Sequence, residues 1–292
     1  MANTIAPSTQ WAPLFDEAYR LASLTAVLDS PPDMTNWTQN GYQLEIPRMT
    51  LPGMANYSRS TGYVAGDVNV ATQLVTPTYE RGRKFVIDKL DVDEAMRDFG
   101  VASGQFIRQS YTPELDAFRI AAYSGATGIG SATGTLTTGS AIITALRAAV
   151  TTLDNAECPD NDRVRFILPG LHGIVEDMDT TNSRAVLARF AQVTRVPPTR
   201  MYKTVTLTPG GGYTGAGALN FLAVSKTAVV QVQKHVAPKI VTPEANQDAD
   251  AWLFGFRSTG YCAVYQNKLG GVYAHSVAAD KAIGGWRVII CG

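Results

Sequence analysis

The 292-residue chain is 45% apolar and 17% charged, and its 25 basic residues cancel its 25 acidic ones. That length supports a sizeable core in one large domain or two smaller ones. A neutral chain has no electrostatic footprint for tight nucleic-acid binding, so any contact with DNA is expected to be local and weak.

Residues 1–40 predict one amphipathic helix and then a breaker. Pro13 suits the first helical position, and Leu14, Ala18, Leu21 and Leu28 share a face before DSPPD stops the helix. With Trp11 and Trp37 beside it, this segment reads as a short arm that must dock on something. Next, YQLEIPRM alternates, with Tyr42, Leu44, Ile46 and Arg48 on one face, and ATQLVTPTYERGRKFVID runs β-rich on the return. Between them lies TLPGMANYSRSTGYVAGDVN, punctuated by Gly53, Gly62 and Gly66. The pattern is a long hairpin with a flexible tip. A two-stranded ribbon is marginal alone in water, so Met49, Leu51, Met54 and Tyr57 need a surface to lie on, which a neighbouring subunit could provide.

Residues 91–125 predict helix. Asp91 can be the N-cap with Glu94 three positions on, a D-x-x-E capping box. Asp93 and Glu94 then sit in the first turn, where the helix dipole favours negative charge. TPELDAF restarts or kinks the helix, with Thr112 capping and Pro113 at the first position. Residues 124–140 form a small-residue loop and a plausible subdomain boundary. Ser140 caps a helix carrying Ile142, Leu146, Val150 and Leu153, and RVRFILP is a buried-type strand followed by a short helix with Ile174, Val175 and Met178. Residues 180–220 read as loop. The remainder is mainly β, with a short helix near Thr227.

The chemical motifs are weak. Asp88, Asp91, Asp93 and Glu94 crowd into seven residues. Aligned as a calcium loop from Asp91, however, they lack the glycine at the sixth position and the glutamate at the twelfth. First-turn capping charge explains them better than catalysis. GGGYTG, from Gly210 to Gly215, matches G-x-G-x-x-G, but AGALNFLAV after it reads as strand rather than helix. His172, His235 and His275 are scattered, with neither H-E-x-x-H nor G-x-S-x-G. Arg81/Arg83 and Arg163/Arg165 alternate along strands and read as salt-bridge partners, with packaged nucleic acid as the minor alternative. No metal, cofactor or catalytic residue is assigned. MANTIAPSTQ lacks the pattern of a signal peptide, and no window of about 18 apolar residues could span a bilayer. Cys158, Cys262 and Cys291 suggest neither a disulfide framework nor a zinc knuckle. The chain is expected to be intracellular when made, which makes the NWT and NYS glycosylation matches at Asn36 and Asn56 chance.

The order of the parts is more informative. EIPRMTLPGMANYSRSTGYVAGDV, TYERGRKFVIDKLDVDEA, PELDAFRIAAYSG and GYCAVYQNKLGGVYAHS, with their spacing over most of the chain, resemble the tailed-phage major capsid protein of the Hong Kong 97 type. The resemblance implies an α+β fold: an N-arm (1–40), an extended β-hairpin E-loop (41–80) and a P-domain with a long spine helix (81–125). An α/β A-domain (126–228) and a P-domain return with the C-terminus (229–292) follow. It implies assembly contacts through Trp11, Leu14, Arg48, Met49, Leu51, Gly53, Met54, Tyr57, Arg59 and Gly62. Asp88, Asp91, Asp93 and Glu94 become the junction of strand and spine helix, and Gly210, Gly211, Gly212 and Tyr213 are nominated for a symmetry axis.

The implied function is an icosahedral shell of hexamers and pentamers enclosing double-stranded DNA, assembled in the host cytoplasm, with portal, scaffolding and possible decoration partners. Some members of the family crosslink through an E-loop lysine; residues 41–80 contain none, so a non-covalent shell is expected. No acidic or helical leader precedes the arm, so an internal scaffolding segment is expected to be absent or removed. Two other readings stay open: an encapsulin-type nanocompartment of the same fold, and an enzyme using Asp88, Asp91 or Glu94.

Overall fold

The computed structural model describes residues 23–30, 36–37, 43–88, 104, 106–178, 181–246 and 251–278. In chain order the strands begin with β1 (Asn36–Trp37), β2 (Leu44–Thr50), β3 (Asn69–Val75) and β4 (Tyr79–Asp88). Helix α1 (Thr112–Ser124) follows, then β5 (Gly130–Thr133), α2 (Gly139–Asn155), β6 (Arg163–Ile167), α3 (Pro169–Met178) and α4 (Thr181–Leu187). The chain finishes with β7 (Gln192–Arg195), β8 (Tyr202–Leu207), β9 (Tyr213–Ser225), β10 (Val229–Val241), β11 (Ala251–Val264) and β12 (Val272–Ser276).

Three sheets result. The ribbon sheet runs β1-β2-β3, a second runs β10-β11-β4, and a mixed sheet runs β5-β12-β9-β6-β7, with β8 hairpinned onto β9. The mixed sheet is covered on both faces, and its inner strands are apolar on both sides as that burial requires. On one face Val164, Phe166, Leu222 and Val224 pack with Ile120 and Tyr123 of α1, and with Leu28. On the other, Ile167, Phe221 and Tyr273 meet Ile142, Leu146 and Leu153 of α2 and Val175 of α3. A third cluster joins Tyr79, Phe254 and Phe256 to Ile107, Tyr111 and Leu115, seating the helix entry on the second sheet.

Several elements differ from the sequence expectation. The β-rich return is two strands, not one. β3 pairs with β2 while β4 pairs with β11, and the break falls at the Thr76–Thr78 segment around Pro77, which has no N–H to give a ladder. Thr112 does not cap a new helix. A single π turn, Ile107–Tyr111, runs into α1, and the Thr112 N–H reaches back five residues to the Ile107 carbonyl. Pro113 cannot donate to the residue four before it, so the widened turn replaces an ordinary one. The cap of α2 is Thr138, whose hydroxyl accepts from the Ala141 N–H at 3.4 Å, rather than Ser140. The small-residue loop contains β5, and the span read as loop from 180 holds α4, β7, β8 and the start of β9. Leu28 lies in a 3-10 turn, Ala26–Leu28, rather than in a continuous helix.

Candidate functional site

The ribbon is built from a buried root and an uncovered tip. At the root, Leu44 and Ile46 of β2 and Val75 of β3 pack against Val230 of β10 and Tyr261 of β11. Gln73 locks the register from the side. Its amide donates to the Val264 carbonyl at 3.2 Å and its oxygen accepts from the Gln266 N–H at 3.1 Å. Arg48 adds a 2.8 Å bond to the Gln266 side chain.

Outward from there the apolar residues lose every cover. Met49, Leu51, Tyr57, Val64, Val68, Val70 and Leu74 are all more than half exposed, Tyr63 is 92% exposed, and Met54 is fully exposed. The tip nonetheless has internal order. Ser58 and Gly62 exchange backbone hydrogen bonds around a turn containing Arg59, and the Ser58 hydroxyl accepts from the Ser60 and Thr61 N–H groups. Gly62 holds φ at +78°, a region that disfavours a side chain, and the Tyr57 and Tyr63 rings lie 5.0 Å apart. Gly53 has open space around it.

β4 carries the ribbon into the body, and its arginines tie it to two other parts. Arg81 forks onto Glu114 of α1, Nε to Oε1 at 2.9 Å and Nη2 to Oε2 at 3.2 Å. It also donates to the Thr208 and Gly212 carbonyls, and Arg83 donates to the Gly210 carbonyl at 2.8 Å. The Gly210–Gly212 turn between β8 and β9 is thus held on the ribbon's root strand. Gly211 and Gly212 both have positive φ, and a Cβ on Gly211 would stand 3.1 Å from Arg83 Nη1. Tyr213 closes the turn by donating to the Thr199 carbonyl at 2.7 Å. Tyr79, beside Glu114, has its hydroxyl pKa pushed far upward by burial and then by that carboxylate.

A polar anchor at the arm root escaped the sequence reading. Asp116 of α1 is fully buried and accepts five hydrogen bonds. Its Oδ1 takes the Ser23 hydroxyl (2.8 Å), the Thr25 hydroxyl (2.6 Å) and the Thr25 N–H (3.3 Å); its Oδ2 takes the Leu24 N–H (2.9 Å) and Arg200 (3.0 Å). Arg119, one turn on, donates to Thr25 Oγ1 at 3.1 Å, and Gln231 of β10 donates to the Thr25 carbonyl and to Asp29. These bonds take the place of a helical ladder in residues 23–25, which the sequence pattern predicts as helix. An Asp and an Arg at i, i+3 inside an otherwise apolar helical stripe was the available signal.

Of the residues singled out in sequence, Trp11, Leu14, Asp91, Asp93 and Glu94 lie outside the described residues. Asp88 ends β4, in register with Ala251. Arg163 forms the expected ion pairs, to Asp154 at 2.7 Å and Asp160 at 2.9 Å. Arg165 does not. Its guanidinium is buried over the Phe190 ring at 5.2 Å with no hydrogen-bond partner, and burial lowers its pKa to about 10. The two arginines sit on the same face of β6, but only Arg163 lies near the carboxylates of the α2 end.

Among the described residues no group of His, Cys, Asp and Glu is placed to hold a metal ion, and no helix is long and apolar enough to cross a membrane. No protein-family model matches the sequence, and no curated protein matches it significantly. Solved structures do match. The capsid of the cyanophage P-SCSP1u is similar over 83% of this chain and 85% of its own, with TM-score 0.60 and 16% identity. The mature capsid of bacteriophage PhiM1 is similar over 82% and 83%, with TM-score 0.56 and 13% identity. The fold is that of tailed-phage capsid subunits, the Hong Kong 97 type. A virus-like particle from Pyrococcus furiosus shares it over 89% of this chain and 98% of that one, with TM-score 0.54 and 10% identity.

Proposed function

We propose that this chain is a major capsid protein, a subunit whose function is to build a closed icosahedral shell of hexamers and pentamers around double-stranded DNA. The observation that carries this reading is the uncovered apolar E-loop on a chain with the capsid fold. Burying one large apolar side chain stabilises an assembly by roughly 1.5–3 kcal/mol, and the loop offers nine that its own subunit leaves exposed. Arm and loop of one copy lie on the next, a heterologous contact that closes into rings. Each subunit would bury on the order of 2,000 Å² or more, as obligate assemblies do.

The proposed organisation keeps residues 1–40 as N-arm, 41–80 as E-loop, 126–228 as A-domain, and 81–125 with 229–292 as P-domain. Met49, Leu51, Met54 and Tyr57 are the loop's contact residues, with Arg48 fixing its root. Asp88, Asp91, Asp93 and Glu94 mark the strand-to-spine junction and perform no catalysis. With no lysine between 41 and 80, the shell is held without E-loop lysine crosslinks. Assembly in the host cytoplasm with portal, scaffolding and decoration partners completes the reading, and DNA contact is weak and non-specific in keeping with the neutral chain.

The likeness to the virus-like particle is to another shell-forming subunit, and the second shell reading is a nanocompartment of the same fold with an enzyme as cargo. One experiment tests both: light scattering and negative-stain microscopy on the protein expressed alone and with the scaffolding and portal partners proposed for it, followed by nuclease treatment of the particles. Closed shells that protect DNA are expected. Closed shells holding one co-purified protein and no DNA would favour the nanocompartment. A monomer under both conditions would overturn the shell reading. On a denaturing gel the particles are expected to run as single subunits; a ladder of covalent multimers would overturn the crosslink-free shell.

A further inference from the structure

α3 lies against a positive charge that no hydrogen bond answers. Arg165 of β6 is fully buried, and none of its three guanidinium nitrogens has a partner. Its pKa of about 10, lowered by burial, still leaves it charged at neutral pH. A buried charge without a hydrogen-bonded partner is costly. The carboxylate that acts on it is Glu176 of α3, whose side chain is 55% exposed.

Glu176 is held elsewhere. Its Oε1 stands 3.3 Å from Nε2 of His172, one turn before it on α3. A neutral ring that donates from Nε2 carries its lone pair on Nδ1, and Nδ1 of His172 is buried with no partner. Strand register brings a second cation to the same place. β6 and β7 run parallel, with Arg165 opposite Val193 and Ile167 opposite Arg195, so Arg165 and Arg195 both project from the side of the sheet where Ile167 and Val193 meet Val175 of α3. Among the described residues the charges that act on His172 are Glu176 from its own helix, Arg165 from β6 and Arg195 from β7. Arg189, beside Phe190, is turned to Asp154 and Asp160 instead. A neutral imidazole suits this setting and an imidazolium does not.

We propose that His172 is a pH-sensitive latch on α3: neutral, it keeps the helix closed on the sheet beside Arg165, and protonated, it releases the helix as a unit. Protonation sets a donor on Nδ1 where no acceptor stands, and adds a third positive charge where Glu176 alone balances two. Opening relieves both by bringing them to water. The apolar hold on α3 rests on Val175, with Leu171, Ile174 and Met178 only partly buried, so a local opening of the helix leaves β6 and β9 paired. Burial, and after it the two arginines against Glu176, keep the ring's pKa below its ordinary value. The neutral ring's contribution is therefore present above about pH 6.5 and is lost as pH falls through the lower folded value.

The test is hydrogen exchange on the full chain at pH 7.5 and 5.0, corrected for the intrinsic rate at each pH. Protection at Leu171–Met178 is expected to fall about tenfold on acidification, while the β9 amides from Leu219 to Val224 stay as protected as before. In His172→Gln, which can still donate to Glu176 but does not titrate, the response is expected to vanish. In Arg165→Met, which removes the buried charge, it is expected to shrink, with α3 better protected at pH 7.5. An undiminished response in either variant would overturn the proposal. So would β9 protection lost in step with α3, because the transition would then be global. Should Arg165→Met fail to fold, the NMR titration of the His172 ring in Arg195→Gln decides, since Arg195 is exposed. A midpoint closer to that of an ordinary histidine is expected there, and an unchanged one would overturn the latch.

Discussion

The ribbon and the mixed sheet use similar apolar sequence in opposite ways. In the sheet, Phe166, Phe221, Leu222 and Val224 are fully buried between α1 on one side and α2 with α3 on the other. In the ribbon, Met54 and Tyr63 stand in solvent while only the root is packed. A subunit that is stable by virtue of its sheet can carry a ribbon whose contribution arises only on assembly. Mutations in the two regions should therefore separate subunit stability from assembly.

The largest effect is expected in the sheet. Phe166→Ala should cost the subunit roughly 3–5 kcal/mol, read as a lowered denaturation midpoint and insoluble expression. Met54→Asp in the ribbon should leave that midpoint within about 0.5 kcal/mol of the wild type yet abolish closed particles in negative stain. A Met54→Asp subunit that unfolds as readily as Phe166→Ala would end the contrast, because the ribbon would then belong to the subunit's core.

Asp116 tests the boundary between the two behaviours. It is buried within the body but holds the arm root through Ser23, Leu24 and Thr25. Asp116→Ala leaves Arg200 and two backbone N–H groups without their acceptor, and the expected loss is about 3 kcal/mol. Proteolysis should then begin near residues 23–25, ahead of global unfolding. Global unfolding with no early cut there would make Asp116 an ordinary core residue.

How much of this was legible in sequence follows from the same division. Alternation in YQLEIPRM revealed the ribbon because its one-sided root preserves period two, as Leu44 and Ile46 show. RVRFI was recognisable as a buried strand because it is a short run bounded by the PDND turn before it and by Pro169, which opens α3, after it. The span from 180 was misread because β8 and β9 are rich in Thr and Gly, whose strand state comes from pairing with each other rather than from propensity. The split at Pro77 was hidden by β-rich sequence on both sides, and which sheet each half joins is a long-range choice. The salt bridge expected of Arg81 is there, to Glu114, but the bonds that Arg81 and Arg83 make to the β8–β9 turn could not be read, since their acceptors include backbone carbonyls 127 residues away.

That tether gives the next prediction. Arg81→Ala removes a fork to Glu114 and two bonds to the β8–β9 turn, and should cost about 2 kcal/mol. Faster hydrogen exchange at Thr208–Gly212 is expected, with Arg81→Lys restoring only part of the protection because an ammonium lacks the fork. A smaller effect is expected from pH. His275, stacked on Phe221 at 5.2 Å, has its pKa held below the usual value by burial. Its depressed folded pKa means that the neutral ring's contribution is present above about pH 6.5 and is lost as pH falls through the folded value. Between pH 7 and 5 the wild-type Tm should fall further than that of His275→Phe, which keeps the stack, removes the titration and gives up the 3.0 Å contact with Asn220 equally at both pH values. His172, also depressed by burial, leaves a residual slope in both.

The last contrast is at the ribbon glycines, where Gly53→Val is expected to have the smallest effect on the subunit, and it separates strain from motion. Gly62 sits at φ +78°, so Gly62→Val strains the tip turn by roughly 1–3 kcal/mol, confined to a part that the core does not feel. Gly53 has ordinary φ, and a Cβ added there would meet no atom within 4 Å, so Gly53→Val should leave the subunit's midpoint unchanged. If the tip adopts different angles in rings of five and six, Gly53→Val should still broaden the particle size distribution in negative stain by stiffening the backbone there. Normal closed particles from both variants would show that the ribbon meets its neighbours at one fixed angle. The exposed apolar surface would then suffice for assembly without any bending at its glycines.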